Sequence, residues 1–197
     1  MSSLSPLLLL TDRAQAEGAG RSLREVLSLA VDAGARAVVV RERDLPLAER
    51  LSLVRFCEEL VADAGGSVVV ASPPVAAGDN LHLRADEGAP ATRLALVGRS
   101  CHGVDELGAA ARDWCDYATL SPIFATASKP GYGPPLGVDA LAEAPLPTFA
   151  LGGITSANAA ACVRAGAAGV AVMGAVMGAD DPARAVRGLL DAIEGAA

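Results

Sequence analysis

Eight short apolar runs punctuate the chain: LLLL at 7–10, AVVV at 37–40, SVVVA at 67–71, LHL at 81–83, LALV at 94–97, DYATL at 116–120, TFAL at 148–151 and GVAVM at 169–173. Most are continuously apolar rather than alternating, the pattern of strands covered on both faces in a parallel sheet. Between several of them the period lengthens to that of a helix. Residues 21–33 place Leu23, Val26, Leu27, Ala30 and Val31 on one face and stop at Gly34, while residues 46–64 carry Leu47, Leu51, Val54, Leu60 and Val61 with charges between them. Residues 156–165 stop at Gly166, and residues 181–194 set Ala185, Leu189 and Ile193 after Pro182 near a first turn.

The repeating unit is a strand followed by a helix, and its ends rhyme: AGAR-AVVV at 33–40 and AGAAGVAVM at 165–173 share a helix stop and a following strand. Eight such strands in 197 residues predict one domain over 1–197, a compact (β/α)8 TIM barrel. An open doubly wound sheet is the alternative, but no G-x-G-x-x-G follows the first strand. Residues 73–92 are weakly helical and rich in Pro, Gly and Ala, so the third and fourth helices should be short or irregular.

Composition narrows the partners. The net charge of −7 and the lack of a basic cluster exclude a nucleic-acid footprint and a polybasic membrane patch, and leave room for a small anionic ligand. The four cysteines have no C-x-x-C spacing and read as small buried apolar residues in a reducing compartment. The PLLLL run is too short for a signal peptide, and no run nears the roughly 18 apolar residues of a membrane helix, so a cytoplasmic location is expected.

In such a barrel the ligand site is assembled from the residues just beyond the carboxyl end of each strand. After the second run stand Arg41, Glu42 and Arg43; after the fifth, Ser100 and His102; after the seventh, Gly152 and Gly153; after the eighth, Gly174 and Ala175. The glycines expose backbone N–H groups, and helix starts near Thr155 or Ser156 and near Gly174 add orphan amides, which suits a phosphate; a tight turn before a capped helix is the competing reading. Arg41 and Arg43 alternate along an extended segment and should point the same way, with Glu42 opposite, which suits an anion. Ion pairing to Asp44 or Asp12 competes.

His82 lies inside an apolar run and reads as a satisfied structural residue, whereas His102, at a strand end, reads as a general acid or base or as a capping residue. Lys129 is the one lysine among sixteen basic residues and sits in SPIFATASKPGYGPPLG at 121–137, after the sixth run. It is either a solvated loop residue or one that holds a ligand. No histidine cluster points to a metal; Asp86 or Glu87 could carry magnesium, without spacing to support it.

VRERDL at 40–45, VGRSCH at 97–102, DYATLSPIFATASKPGYGPPLG at 116–137 and FALGGITSANAAACVRAGAAGVAVM at 149–173 together resemble the superfamily of thiamine-phosphate synthase and the thiazole tautomerase TenI. The resemblance runs in order along nearly the whole chain. It implies a (β/α)8 barrel that binds a thiazole phosphate at the loops after strands seven and eight, through Gly152, Gly153, Gly174 and Ala175. The synthase branch joins a pyrimidine pyrophosphate to the thiazole phosphate using magnesium; the tautomerase branch moves a proton to aromatise a thiazole phosphate carboxylate.

The chain departs from the synthase pattern at several positions. Val39 and Arg43 stand in its Gln-x-Arg-x-Lys element, Ala71, Ser72 and Pro73 replace Asn-Asp-Arg, and Arg84, Ala85, Asp86 and Glu87 replace Gly-Gln-x-Asp. Thr126, Ser128 and Lys129 supply its phosphate-contacting T-x-[TS]-K element. Arg41-Glu42-Arg43 and the G-R-S-x-H segment ending at His102 match the tautomerase branch. The resemblance therefore implies first a cofactor-free thiazole tautomerase, with His102 as the proton shuttle, Arg41, Arg43 and Lys129 on the carboxylate or the lid, and Ser100 beside them. Its alternatives are a magnesium-dependent thiamine-phosphate synthase and a non-catalytic relative that keeps only the phosphate site. A homo-oligomer is compatible with the sequence.

Overall fold

The computed structural model describes residues 4–126 and 134–196. Strands β1 (Leu7–Leu10), β2 (Ala37–Val40), β3 (Ser67–Ala71), β4 (Leu81–Leu83), β5 (Val97–Cys101), β6 (Tyr117–Leu120), β7 (Thr148–Leu151) and β8 (Gly169–Val172) pair in parallel in that order, and β8 closes on β1. Around them lie α1 (Arg13–Gly18), α2 (Leu23–Asp32), α3 (Leu47–Ala62), α4 (Val104–Arg112), α5 (Ala159–Arg164), α6 (Gly174–Met177) and α7 (Pro182–Glu194). This is the predicted TIM barrel. No helix stands between β3 and β4 or between β4 and β5, where the sequence reads as weakly helical, and among the described residues a 3-10 turn (Val138–Leu141) precedes β7.

Alternation along the strands sorts two apolar cores. Leu8, Leu10, Ala37, Val39, Val69, Ala71, Tyr117, Phe149 and Ala171 pack inside the barrel. Their neighbours in sequence, such as Leu7, Leu9, Val38, Val40, Val68, Val70, Ala118 and Leu120, pack outward against the helices. Burial on both faces is what makes the runs continuously apolar. With aromatics at 3% of the chain, two rings fill much of the interior: Tyr117 and Phe149 meet edge to face at 5.7 Å, and small residues on β2, β3 and β8 leave them room.

Side-chain caps anchor the starts of α2 and α7. Ser22 accepts from the Glu25 amide and Asp181 from the Arg184 amide at the starts of α2 and α7, caps of the kind that contribute about 1 kcal/mol each. The rhyming turns close alike: Ala35 N donates to Ala30 O at 3.0 Å and Ala167 N to Cys162 O at 3.1 Å. All four cysteines are free and buried. Among the described residues no helix is long and apolar enough to cross a membrane.

Strand β5 corrects the sequence reading, which put it at 94–97. The ladder runs through Val97, Gly98, Arg99, Ser100 and Cys101, so Ser100 lies within the strand and not after it. Polarity hides the strand from a search for apolar runs, because its polar side chains are buried against partners distant in sequence. Arg99 points outward, 3% exposed, and pairs with Asp113 at the end of α4 at 2.7 Å. Ser100 points inward and meets His82.

Candidate active site

The inward positions of each strand, continued past its carboxyl end, define the barrel mouth: Arg41 and Arg43 beyond β2, Arg84 beyond β4, His102 beyond β5, Ser121 beyond β6 and Met173 at the end of β8. All the candidate residues that the structure describes stand on this rim or just beneath it. Ser128 and Lys129 lie outside the described residues.

On the β6–β8 side, the segment leaving β6 is zipped onto the exit of β7. Ile123 N donates to Leu151 O at 2.9 Å and Phe124 N to Gly152 O at 3.0 Å. This close approach is why two glycines stand here. Gly152 and Gly153 have φ of 92° and 66°, and a Cβ on Gly153 would lie 2.5 Å from Ala125 O and 2.8 Å from Phe124 Cβ. The amides of Gly152 and Gly153 have no acceptor among the described residues, and Thr126 is the next residue after the clamped Ala125.

The Thr155 amide, by contrast, is taken by Asn158 Oδ1 at 2.8 Å, while Asn158 Nδ2 donates to Gly153 O. The helix start expected at Thr155 or Ser156 is therefore a side-chain-braced turn, and α5 begins at Ala159. Across β8, Gly174 and Ala175 open α6, where the first N–H groups have no partner within the helix.

On the β2–β4 side the alternation holds. Glu42 is buried on the outer face, and Arg41 is half-buried across the β1 and β8 exits, its backbone N–H on Thr11 Oγ1 at 2.8 Å and its guanidinium against Thr11 O and Met173 Sδ. The competing ion pairs do not form: Asp44 binds Arg13 at 2.7 Å and Asp12 caps α1. Among the described residues neither Arg41 nor Arg43 has a carboxylate within 4.0 Å. Burial and the nearby Arg41 push the Arg43 guanidinium below its ordinary range. Two neighbouring guanidiniums without a carboxylate partner among the described residues favour an anion between them.

His102 is held from two directions. Its backbone N–H donates to Glu106 Oε2 at 2.7 Å in the first turn of α4, and ring Nδ1 lies 3.1 Å from Ser121 O and 3.2 Å from Ser121 Oγ. A carbonyl can only accept, so Nδ1 carries the hydrogen and Nε2 is the basic nitrogen of the neutral ring. The capping contact is made by the backbone and not by the imidazole.

Beneath the rim, His82 is the satisfied interior histidine that its apolar run predicts. Nδ1 is 2.9 Å from Tyr117 Oη and Nε2 is 2.9 Å from Ser100 Oγ. Burial, and then Arg43 and Arg41, push it down to about 3, so the ring is neutral wherever the barrel is folded. Sequence reasoning missed Tyr117, Ser121 and Thr119, whose buried Oγ1, opposite Ser100 in the β5–β6 register, has no partner among the described residues. Inward parity on β6 is the signal that could have found all three.

The residues at the β3 and β4 exits do not fit the magnesium ion of the synthase branch. Both Asp86 oxygens accept from Arg84, at 2.9 and 3.1 Å. Glu87 takes the Arg84 amide at 2.8 Å and Ser72 Oγ at 3.0 Å. Ser72 supplies a hydroxyl where that branch has a carboxylate. Among the described residues no three His, Cys, Asp or Glu side chains converge.

Comparison with known proteins agrees with this architecture. The family described as "Thiamine monophosphate synthase" (TMP-TENI) matches residues 7–176. The chain is 40% identical to a protein of Geobacter sulfurreducens named putative thiamine-phosphate synthase, over 93% of this chain and 92% of that one. It is 37% identical to the thiamine-phosphate synthase of Roseiflexus castenholzii, over 92% and 85%. Its fold matches thiamine phosphate pyrophosphorylase from Pyrococcus furiosus with a TM-score of 0.82 at 24% identity, covering 96% of each chain. These relatives carry the synthase name, and none of them singles out the tautomerase branch that the rim motifs resemble.

Proposed function

The chain belongs to the TMP-TENI family of thiamine biosynthesis, and from that premise we propose that it is a thiamine-phosphate synthase, joining a thiazole phosphate to a pyrimidine pyrophosphate. The observation that carries this choice over proton transfer alone is that relatives at 40% and 37% identity across nine-tenths of the chain bear that name.

The rim supports both halves of the reaction. A carbon–nitrogen bond forms to the thiazole as the carbon–oxygen bond to pyrophosphate breaks, and negative charge grows on the leaving group. Arg41 and Arg43, uncommitted to carboxylates, face that charge, with Ser100 below them. The amides of Gly152, Gly153, Gly174 and Ala175 hold the thiazole phosphate, and the family resemblance assigns Thr126, Ser128 and Lys129 to contacts with it.

A second reading is favoured by one specific observation. Ser72 and an Arg84-bound Glu87 stand where the synthase branch neutralises pyrophosphate with a metal, while the His102 imidazole stands at the rim against Ser121. Such a site suits a thiazole tautomerase. The test runs both assays on one preparation: release of pyrophosphate from the two synthase substrates, with and without magnesium, and NMR of aromatisation of the thiazole phosphate carboxylate. Pyrophosphate release supports the synthase, with kcat/KM falling about 10- to 100-fold in Arg41→Gln. Aromatisation alone, abolished in His102→Gln, replaces it with the tautomerase. Neither activity, with phosphate-ester binding retained, leaves a non-catalytic relative.

A further inference from the structure

The buried chain Tyr117–His82–Ser100 has a direction, and the direction follows from what each group lacks. Tyr117 is 1% exposed, and among the described residues its hydroxyl has His82 Nδ1 as its one polar partner, at 2.9 Å. A phenol buried among apolar side chains must place its hydrogen on an acceptor, and Nδ1 is the acceptor within reach. The imidazole is neutral, so its hydrogen is on Nε2. That N–H donates to Ser100 Oγ, 2.9 Å away.

Ser100 then receives from below and keeps its own hydrogen for another acceptor. Among the described residues it has none. Thr119, its register partner on β6, also holds a buried Oγ1 without a partner among the described residues. Ser100 stands one inward step beneath His102, under the rim that carries Arg41 and Arg43. Gly98 makes the arrangement possible: a Cβ there would lie 2.1 Å from Tyr117 Cζ, so the phenol ring occupies the space of the missing side chain and reaches His82.

We infer that Tyr117 and His82 are positioning residues that hold the Ser100 hydroxyl as a standing hydrogen-bond donor toward an anionic phosphate or pyrophosphate oxygen at the barrel mouth. The inference deepens the proposed function and rests on its premise that the mouth takes a phosphorylated ligand. The opposite polarity, with Nδ1–H donating to the phenol and Ser100 donating downward, strands the phenolic hydrogen inside the barrel and turns a lone pair toward the incoming anion.

Nitrogen-15 NMR of the histidine-labelled full chain reads the polarity directly. A neutral His82 with its hydrogen on Nε2, unchanged between pH 5 and 9, is expected in the ligand-free protein. In Tyr117→Phe the Nε2–H form should give way to a mixture, because nothing then donates to Nδ1. Calorimetry with inorganic pyrophosphate as the probe should show affinity falling about tenfold in Ser100→Ala, and by a smaller factor in Tyr117→Phe. An Nδ1–H spectrum for the wild type, or a Tyr117→Phe variant with unaltered tautomer and affinity, overturns the inference. An Nε2–H spectrum with no pyrophosphate binding by the wild type upholds the polarity and overturns the proposed function instead. Should Tyr117→Phe not fold, Gly98→Ala displaces the same ring and is read in the same way.

Discussion

Ile123 and Phe124 tie the β6 exit to the β7 exit through backbone groups alone, with Gly152 and Gly153 as the surfaces they lie against. Across the mouth, the β3 and β4 exits are tied by side chains: Arg50 donates to Pro73 O at 2.8 Å and to Ala71 O, Ser72 Oγ to Glu87, and Arg84 to Asp86. A backbone clamp constrains sequence only where a side chain would intrude, so the residues around it can change while its geometry persists. A side-chain network changes geometry and charge with each substitution. The segment that most resembles the family, residues 97–173, includes the backbone-clamped side, and the departures at residues 71–73 and 84–87 fall on the other. On the proposed reading, the chemistry peculiar to this chain is therefore decided at β2–β4, across the mouth from the glycine-lined side proposed to hold the phosphate.

The largest effect should come from breaking the clamp. Gly153→Val asks a β-branched residue to adopt φ near 66° with its Cβ 2.5 Å from Ala125 O. Strain and overpacking together should cost about 2–4 kcal/mol, and phosphate-ester affinity should fall with them. Gly88→Val on the β4–β5 loop, where an added Cβ meets nothing within 4 Å, is the control and should stay within about 0.5 kcal/mol. Urea unfolding of both variants reads the contrast. Equal losses would show that the two sides are not built differently.

The same contrast explains what was legible in the sequence. Strands with two apolar faces announce themselves, and the glycine pairs mark the loops that must pack backbone on backbone. β5 did not, because Arg99 and Ser100 are polar residues made compatible with burial by Asp113 and His82, partners distant in sequence. Ser100 and His102 were visible as residue types near a strand end, but the tyrosine at the base of the Ser100 chain was not, since Tyr117 reads as one more apolar strand residue. Nor does spacing show that Ser72 and Glu87 meet, fifteen positions apart, once the β3–β4 connection lacks its helix. Lys129 lies outside the described residues, so its role stays with the resemblance.

A second effect sharpens the view of the interior under both sides. His82 is pushed from 6.5 to about 3, chiefly by burial. As pH falls through 6.5 the unfolded chain takes up a proton that the folded barrel refuses until about pH 3, so stability drops on acidification across that window, by up to about 1.4 kcal/mol per pH unit. Between pH 6.5 and about pH 4.5 the wild type should lose about 2 kcal/mol more than His82→Gln, which has no such proton to exclude. Parallel slopes in urea melts of the two proteins would show that the ring is charged inside the barrel.

The smallest effect separates two arginines that stand on the same rim. Arg43 has no carboxylate partner among the described residues, so its whole charge is available to a ligand; Arg84 is already spent on Asp86 at 2.9 Å and Glu87 at 3.7 Å. Arg43→Gln should therefore weaken pyrophosphate binding about tenfold, with a shallower dependence on salt, because a guanidinium that faces an anion directly is lost. Arg84→Gln should weaken it by about twofold at most, and its melting temperature should match the wild type, since a solvent-exposed ion pair contributes little to folding. Titrations of both variants at two salt concentrations decide the matter. If Arg84→Gln proves the more damaging, Asp86 and Glu87 must release Arg84 when the anion arrives, and the β4 exit, not β2, is where this chain replaced the charge that its relatives' pattern supplies.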